Sequence, residues 1–64
     1  MKNNIRELRK QLGIRQEDIA TTLGVTRQTI NAIENEKYSP TLALAMKLAK
    51  LLNNTVEELF ILEG

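Results

Sequence analysis

The chain has 64 residues, and its nine basic and eight acidic side chains give a formal net charge of +1. This length suffices for one small domain, expected over residues 1–64, and leaves no room for a second core. The absence of cysteine and histidine excludes disulfides, thiolate chemistry and the usual zinc-ligand patterns. Because a Gly-rich phosphate loop is also missing, we expect a protein without cofactor or small-molecule ligand, and not an enzyme.

The charge is distributed unevenly along the chain. Through Ile33, six basic residues stand against three acidic ones, whereas from Glu34 onward three lysines stand against five glutamates. A nucleic acid would therefore prefer the first half. The charged N-terminal segment has no long apolar run behind it, so the sequence predicts neither a signal peptide nor a membrane span, and we expect a soluble cytoplasmic protein.

Apolar residues recur at helical spacing almost throughout, and no segment alternates with the period of two that a half-buried strand needs. The pattern predicts an all-α fold of five short helices. The first extends from about Ile5 to Leu12, with an Asn4-x-x-Glu7 capping box at its start and Gly13 at its end. The second spans about Gln16 to Leu23, and Gly24 ends it.

The remaining three helices have clear start signals. The third begins after Thr26, a good N-cap, and ends near Asn35, and the segment from Glu36 to Pro40 is predicted as a loop. The fourth is rich in Leu and Ala and extends from about Thr41 to Leu52. The fifth opens with a Thr55-x-x-Glu58 capping box.

The second and third helices have the pattern of two short helices joined at a steep angle. Such a pair needs a small residue where the axes approach, a residue tolerant of positive φ at the turn, and apolar anchors. Ala20 and Gly24 supply the first two, and Val25 plugs the turn into the core. The anchors are Ile19, Leu23, Ile30 and Ile33. Any small helical bundle uses such residues singly, but the joint pattern favours a helix-turn-helix.

The run from Gln16 to Pro40, QEDIATTLGVTRQTINAIENEKYSP, resembles the helix-turn-helix of the Xre family, which includes phage repressors and Cro. Arg9 to Gly13 fits the family's R-x-x-x-G lead-in, and Pro40-Thr41-Leu42 fits the start of its fourth helix. The similarity covers nearly the whole chain and is greatest to short, stand-alone regulators. It implies a phage-repressor-like, five-helix domain that binds double-stranded DNA through the major groove and regulates transcription.

Two departures from the family pattern lead to expectations of their own. Arg15 stands where the family usually has a Ser, Thr or Asn cap before the second helix, so that helix lacks a side-chain acceptor, and Arg15 is expected to meet a phosphate. A glycine commonly follows the family's third helix. Asn35 and Glu36 stand in its place here, and Asn35 is expected to adopt the left-handed conformation.

The resemblance, together with the chemistry of the side chains, predicts the DNA contacts. Gln28 is expected to pair its amide with adenine, and Arg27 either grips guanine or holds a phosphate. Asn31 and Ala32 are expected to contact bases as well, Ala32 against a thymine methyl. Gln16 resembles the family glutamine that binds the DNA backbone. The other expected backbone contacts are Arg15, Thr26, which also serves as an N-cap, Thr29, Asn35, Lys37 and Ser39.

Two further sets of residues are expected to support the reading helix. The resemblance implies that Arg9 and Glu34 form a structural pair between the first helix and the end of the third. The C-terminal run has more apolar surface than one short helix buries, so we expect one side of it to form a homodimer interface; its residues are Leu59, Phe60, Ile61 and Leu62. The alternative is that these residues close the core of a monomer.

The predicted function is a homodimeric transcriptional repressor on a palindromic operator, with two recognition helices about 34 Å apart. The alternative is a protein-interaction module, such as an antitoxin that sequesters a toxin. An exposed apolar C-terminal segment would serve either function. Phosphate contacts would make DNA binding strongly salt-dependent, which a protein partner need not show.

Overall fold

The computed structural model describes residues 1–62, which form five helices and two short strands. The helices are α1 (Ile5–Gln11), α2 (Gln16–Leu23), α3 (Arg27–Glu34), α4 (Leu42–Leu51) and α5 (Val56–Leu59). The all-α, five-helix prediction is confirmed. No helix within these residues is long and apolar enough to cross a membrane.

The strands are an addition to the predicted fold. β1 (Lys2–Asn3) pairs antiparallel with β2 (Phe60–Ile61), and Lys2 lies opposite Ile61. The backbone N–H of Asn4 donates to the carbonyl of Leu59 at 2.9 Å and continues this connection. The sequence did not predict these strands, because two residues are too few to show a period of two.

The core draws at least one fully buried side chain from every helix. These residues are Ile5, Ile19, Ile30, Ile33, Leu48, Leu52 and Leu59. Burial of each side chain of this size is worth about 1.5–3 kcal/mol. Because α2 and α3 both contribute to this core, the angle between them is fixed from the inner side. The core therefore holds α3 in place through its inner side chains. The side chains on its outer face are not needed for packing.

Each helix from α1 to α4 is followed by a residue in the left-handed conformation. The φ angles are 69° at Gly13, 72° at Gly24, 62° at Glu36 and 56° at Asn53. In each case the next N–H donates to a carbonyl five residues back, as in Val25 to Ala20 at 3.0 Å and Lys37 to Ala32 at 2.9 Å. These are Schellman motifs, which satisfy the last carbonyls of a helix.

The left-handed residue after α3 is Glu36, and the expectation that Asn35 adopts this conformation was wrong. Asn35 has a φ of −90° and donates its N–H to the carbonyl of Asn31, so it still belongs to the last helical turn. The chain reverses one residue later. A glutamate therefore occupies a position that favours glycine.

Glu36→Gly is expected to raise the free energy of unfolding by about 1 kcal/mol. A left-handed conformation costs a non-glycine residue about 1–2 kcal/mol, and the greater freedom of glycine in the unfolded chain offsets part of the gain. Asn53→Gly is the matched comparison and should gain less, because asparagine tolerates this conformation better. Urea unfolding of both variants checks the prediction, and a loss of stability in Glu36→Gly would contradict it.

The structure confirms one of the two capping boxes predicted from the sequence and not the other. The Asn4-x-x-Glu7 capping box was wrong, because the side chain of Asn4 donates to the carbonyl of Glu58 at 3.2 Å and Asn3 Oδ1 accepts the N–H of Ile5 instead. The Thr55-x-x-Glu58 box is present, since each residue accepts the backbone N–H of the other at 3.0–3.1 Å. Pairing of β1 with β2 brings Asn4 to α5 and so diverts it from its own helix.

Candidate nucleic-acid interface

The turn between α2 and α3 presents one side of α3 to solvent. Gly24 ends α2, and Thr26 begins α3 by accepting the N–H of Thr29 on its hydroxyl at 3.2 Å. Ile30 and Ile33 are both 1% exposed and turn the inner face of α3 into the core. The opposite face is therefore open along the whole helix.

The exposed face of α3 carries Arg27, Gln28 and Asn31, all of which are exposed side chains. With about 100° of rotation per residue, these three lie within roughly 100° of arc. Ala32 is half-buried and lies at the margin of this face. Thr29 is also half-buried, and its hydroxyl lies 3.0 Å from the hydroxyl of Thr26.

A groove with several arginines lies beside this face, at the N-terminus of α2. Its lining residues are Arg9, Arg15, Gln16, Glu17 and Arg27. A smaller depression next to it is lined by Gln16, Arg27, Gln28 and Asn31, so Gln16 and Arg27 border both. Arg27 has no ion-pair partner within residues 1–62. Because the helix N-terminus adds unpaired N–H groups and a partial positive charge, the groove suits an anion such as a DNA phosphate.

Arg15 lies at the exposed rim of this groove and is engaged with Asp18. Its Nε and Nη2 donate to the two carboxylate oxygens of Asp18 at 3.3 and 3.2 Å, and its backbone N–H donates to Asp18 Oδ2 at 2.8 Å. The hydrogen bonds from Arg15 lower the pKa of Asp18. The same pair raises the pKa of Arg15. Asp18 thus accepts the backbone N–H of the N-cap residue, while no side chain at the N-cap accepts an N–H of the first turn. The free guanidinium N–H groups of Arg15 remain available to a phosphate.

Glu34 is a buried carboxylate that lies beneath this surface and connects its helices. It is 7% exposed, and Arg9 grips it with Nε on Oε2 at 2.7 Å and Nη2 on Oε1 at 3.2 Å. Gln16 Nε2 and Arg6 Nε both donate to Oε1, at 3.1 and 3.4 Å. The two residues predicted as a structural pair therefore lie in direct contact, and α1, α2 and α3 meet at one carboxylate.

The pKa of Glu34 follows from this environment. Burial alone would raise its pKa, but the hydrogen bonds from Arg9 and Gln16, the charge of Arg9 and the hydrogen bond from Arg6 outweigh burial. The pKa of Glu34 therefore lies below its ordinary value, and the carboxylate is ionised at neutral pH.

This pKa predicts that acid destabilises the protein through Glu34. Since the folded-state pKa lies below the unfolded value, the carboxylate contributes stability at neutral pH that is lost as the pH falls through the folded-state pKa. Glu34→Gln should be less stable at neutral pH, and its free energy of unfolding should depend less on pH in the acid range. Urea unfolding at a series of acidic pH values measures this, with the exposed Glu7→Gln as control. The same pH dependence in Glu34→Gln and the wild type would contradict it.

The other predicted site residues lie in two places. Asn35, Lys37 and Ser39 are exposed at and after the end of α3. At the C-terminal side, Leu59 is 0% and Phe60 8% exposed, and both pack in the core of the chain itself. The expectation of an exposed apolar run is corrected at these two positions, because the pairing of β2 with β1 draws them inward. Ile61 and Leu62 are 39% and 87% exposed.

Arg6 is the member of this surface that sequence reasoning missed. It was counted only as part of the basic half of the chain, yet it donates both to Glu34 and to Asn35 Oδ1, the latter at 2.7 Å. Its spacing from Arg9 held a usable signal, because residues three apart share a helix face. Two arginines on one face of α1 indicate a shared acidic partner or anion.

Together these features define a helix-turn-helix binding domain, and comparison with known proteins agrees. The family model described as "Helix-turn-helix" matches residues 5–59. An uncharacterized HTH-type transcriptional regulator of Methanothermobacter thermautotrophicus is 50% identical over 64 residues, covering 98% of this chain and 93% of the relative. The regulator YgzD of Bacillus subtilis, also named as uncharacterized, is 48% identical over 63 residues, covering 98% and 96%. A third such regulator, from Methanocaldococcus jannaschii, is 49% identical over 63 residues with the same coverage.

This chain therefore belongs to the Xre-type helix-turn-helix family. The resemblance in residues 16–40 predicted this membership. Membership of this family also confirms the expectation that the chain is a DNA-binding protein and not an enzyme. The matched residues include all five helices, so the family assignment rests on the whole fold and not on the turn alone.

Proposed function

We propose that this protein is a sequence-specific transcriptional regulator that acts in the cytoplasm as a repressor. The observation that carries the proposal is the exposed face of α3, where Arg27, Gln28 and Asn31 stand beside the arginine-lined groove. The names of the three relatives as transcriptional regulators support it. Occupation of an operator by such a protein blocks access of the polymerase.

In this proposal α3 enters the major groove and reads base edges. Gln28 pairs its amide with adenine, and Arg27 contacts guanine or a phosphate. Asn31 reads a further base, while the half-buried Ala32 touches a thymine methyl at the margin of the helix. Such contacts specify the sequence, and the backbone contacts described next set the register.

The backbone contacts surround the reading face on both sides. The N-terminus of α2 offers its N–H groups to a phosphate, and Gln16 adds the amide N–H that does not bind Glu34. At the C-terminal end of α3, the loop that follows the helix approaches the backbone of the other DNA strand. The full proposed set is Arg15, Gln16, Thr26, Thr29, Asn35, Lys37 and Ser39.

Salt dependence of DNA binding tests this function. Each phosphate neutralised by a basic side chain contributes about −0.9 to the slope of log K against log salt concentration. We expect a steep negative slope on genomic fragments, reduced by about one in Arg27→Gln if Arg27 holds a phosphate. A flat slope or no binding would exclude the regulator and favour a protein-interaction module.

We further propose that the protein binds a palindromic operator as a homodimer. Ile61 and Leu62 offer exposed apolar area, and the neighbouring Phe60 borders an apolar groove together with Met1 and Leu42. Burial of these side chains against a second copy would remove apolar surface from water. A two-fold axis there would pair two α3 helices on successive turns of the same DNA face.

Leu62→Lys is expected to shift the protein to monomer and to weaken operator binding by about 100-fold or more, because the two half-sites are then bound independently. Met46→Lys is the matched control, since Met46 is 50% exposed and does not border the apolar groove. Sedimentation equilibrium and operator titration measure the two effects. A Leu62→Lys protein with the association state of the wild type would contradict the proposed interface.

A further inference from the structure

Five polar side chains from α1, α2 and α3 form a closed ring of hydrogen bonds beside the reading face. This polar ring consists of Arg6, Gln16, Asn31, Glu34 and Asn35. Glu34 Oε1 accepts from Gln16 Nε2 at 3.1 Å, and Gln16 Oε1 accepts from Asn31 Nδ2 at 3.5 Å. Asn31 Oδ1 accepts from Asn35 Nδ2 at 3.1 Å, and Asn35 Oδ1 accepts from Arg6 Nη2 at 2.7 Å. Arg6 Nε closes the ring on Glu34 Oε1 at 3.4 Å.

The two charged members fix the direction of every bond in the polar ring. An ionised Glu34 only accepts hydrogen bonds, and Arg6 only donates them. Because Glu34 accepts, Gln16 turns its nitrogen toward Glu34 and its oxygen toward Asn31. Because Arg6 donates and the backbone carbonyl of Asn31 accepts at 2.9 Å, Asn35 turns its oxygen toward Arg6 and its nitrogen toward Asn31. Both sides therefore require the same orientation of the Asn31 amide, with its nitrogen facing Gln16 and its oxygen facing Asn35.

We propose that Arg6 is a positioning residue that sets the base preference of Asn31, an inference that rests on the proposed function. Within the polar ring Asn31 keeps one N–H and one oxygen lone pair for DNA. An amide pairs with adenine by donating to N7 and accepting from the N6 amine, and a rotation of 180° exchanges donor and acceptor. The direction of this amide decides which base edge Asn31 matches. The Gln16 side holds it only through the longest bond of the polar ring, 3.5 Å, so the Arg6 side contributes the larger share.

The position of Arg6 allows an effect on base preference to be separated from an effect on the stability of the fold. The side chain of Arg6 is 43% exposed, whereas Arg9 is 13% exposed and holds Glu34 at 2.7 Å from outside the polar ring. Loss of Arg6 leaves that stronger pair intact. Asn35 then loses the donor that holds its oxygen, and its nitrogen is free to bond the backbone carbonyl of Asn31 at 2.9 Å without also holding Asn31 Oδ1.

Arg6→Met is expected to lower discrimination at one base pair, the one whose preference is lost in Asn31→Ala. The measurement is affinity for the operator selected by the wild type and for each of its single base-pair variants. Discrimination at the Asn31 position should fall about fivefold or more, while the Gln28 position is unchanged. Arg6→Lys should retain the preference, because an ammonium group also only donates. Lys10→Met, an equal charge loss on α1, should leave every preference unchanged.

Asn35→Ala provides a second variant that cuts the same connection without touching Glu34. It should lose the same base preference, and the Arg6→Met, Asn35→Ala double variant should lose no more than either single variant, since both act through one chain of bonds. Thermal unfolding of each variant confirms that it is folded at the temperature of the binding assay. If Arg6→Met does not fold, the Asn35→Ala result decides.

The outcomes distinguish this inference from the proposed function. Equal weakening on all sequences in Arg6→Met and in Asn35→Ala, with the base preference unchanged, would overturn the inference and leave both residues as backbone contacts only. No change of preference in Asn31→Ala, with a change in Gln28→Ala, would also overturn it and leave the proposed function standing. A wild-type protein that selects no sequence at all would instead overturn the proposed function.

Discussion

Arg9→Met is expected to destabilise the protein by about 3–5 kcal/mol, the range for removal of one partner from a buried ion pair. The side chain of Glu34 is fully buried and that of Arg9 is 13% exposed, so water cannot replace the lost guanidinium. Arg6 and Gln16 remain bonded to Glu34 and place the effect at the lower end. For a domain of this size, whose total stability is of the order of 3–10 kcal/mol, the loss is a large fraction.

Urea unfolding measures this loss, and two variants serve as controls. The Arg9→Met, Glu34→Met double variant should recover much of the stability, because no uncompensated charge stays buried. Arg15→Met removes an exposed arginine that is paired with Asp18 and should change the unfolding midpoint little. If Arg9→Met unfolds at the same urea concentration as Arg15→Met, the buried pair does not stabilise the fold. A loss of DNA binding in Arg9→Met can be attributed to a lost DNA contact only if the unfolding curve shows that the variant is folded under the conditions of the binding assay.

Gln28→Ala is expected to lose about 1–3 kcal/mol of discrimination at a single base pair, which is about fivefold to 150-fold in relative affinity. The side chain is exposed on the open face of α3, so its removal leaves the core intact. Binding to unrelated DNA should remain close to that of the wild type, because phosphate contacts dominate it. Competition titrations with the operator and its single base-pair variants measure both quantities.

Gln11→Ala is the matched control, with the same substitution at an exposed residue at the end of α1. It should change neither the base preference nor the affinity for unrelated DNA. An equal loss on every sequence in Gln28→Ala would show that Gln28 contacts the backbone. The reading role would then fall to Arg27 and Asn31.

The helix-turn-helix was predictable because its determinants are local. Ala20, Gly24 and Val25 lie within six consecutive residues, and the apolar spacing of Ile30 and Ile33 identifies the inner face of α3 without knowledge of the rest of the fold. The outer face follows from the inner one. Prediction of the exposed Arg27 and Gln28 therefore needed only the helical period.

The features that sequence reasoning missed depend on contacts between distant residues. Leu59 and Phe60 are apolar whether they face a partner or their own core, and only the pairing of β2 with β1 decides between the two. Four of the five bonds of the polar ring likewise join residues 15 to 29 positions apart, and no helical spacing indicates such contacts. The sequence shows which polar side chains are present, whereas the tertiary fold decides which of them bond to each other.

Selection of bound sequences from a random pool of double-stranded DNA by the wild-type protein tests the central claim most directly. We predict enrichment of a palindromic sequence whose half-sites are centred about one helical turn, or 34 Å, apart. A single enriched half-site would retain base reading by α3 and contradict the homodimer. Recovery of bound DNA without any enriched sequence would contradict the claim that the exposed face of α3 reads bases.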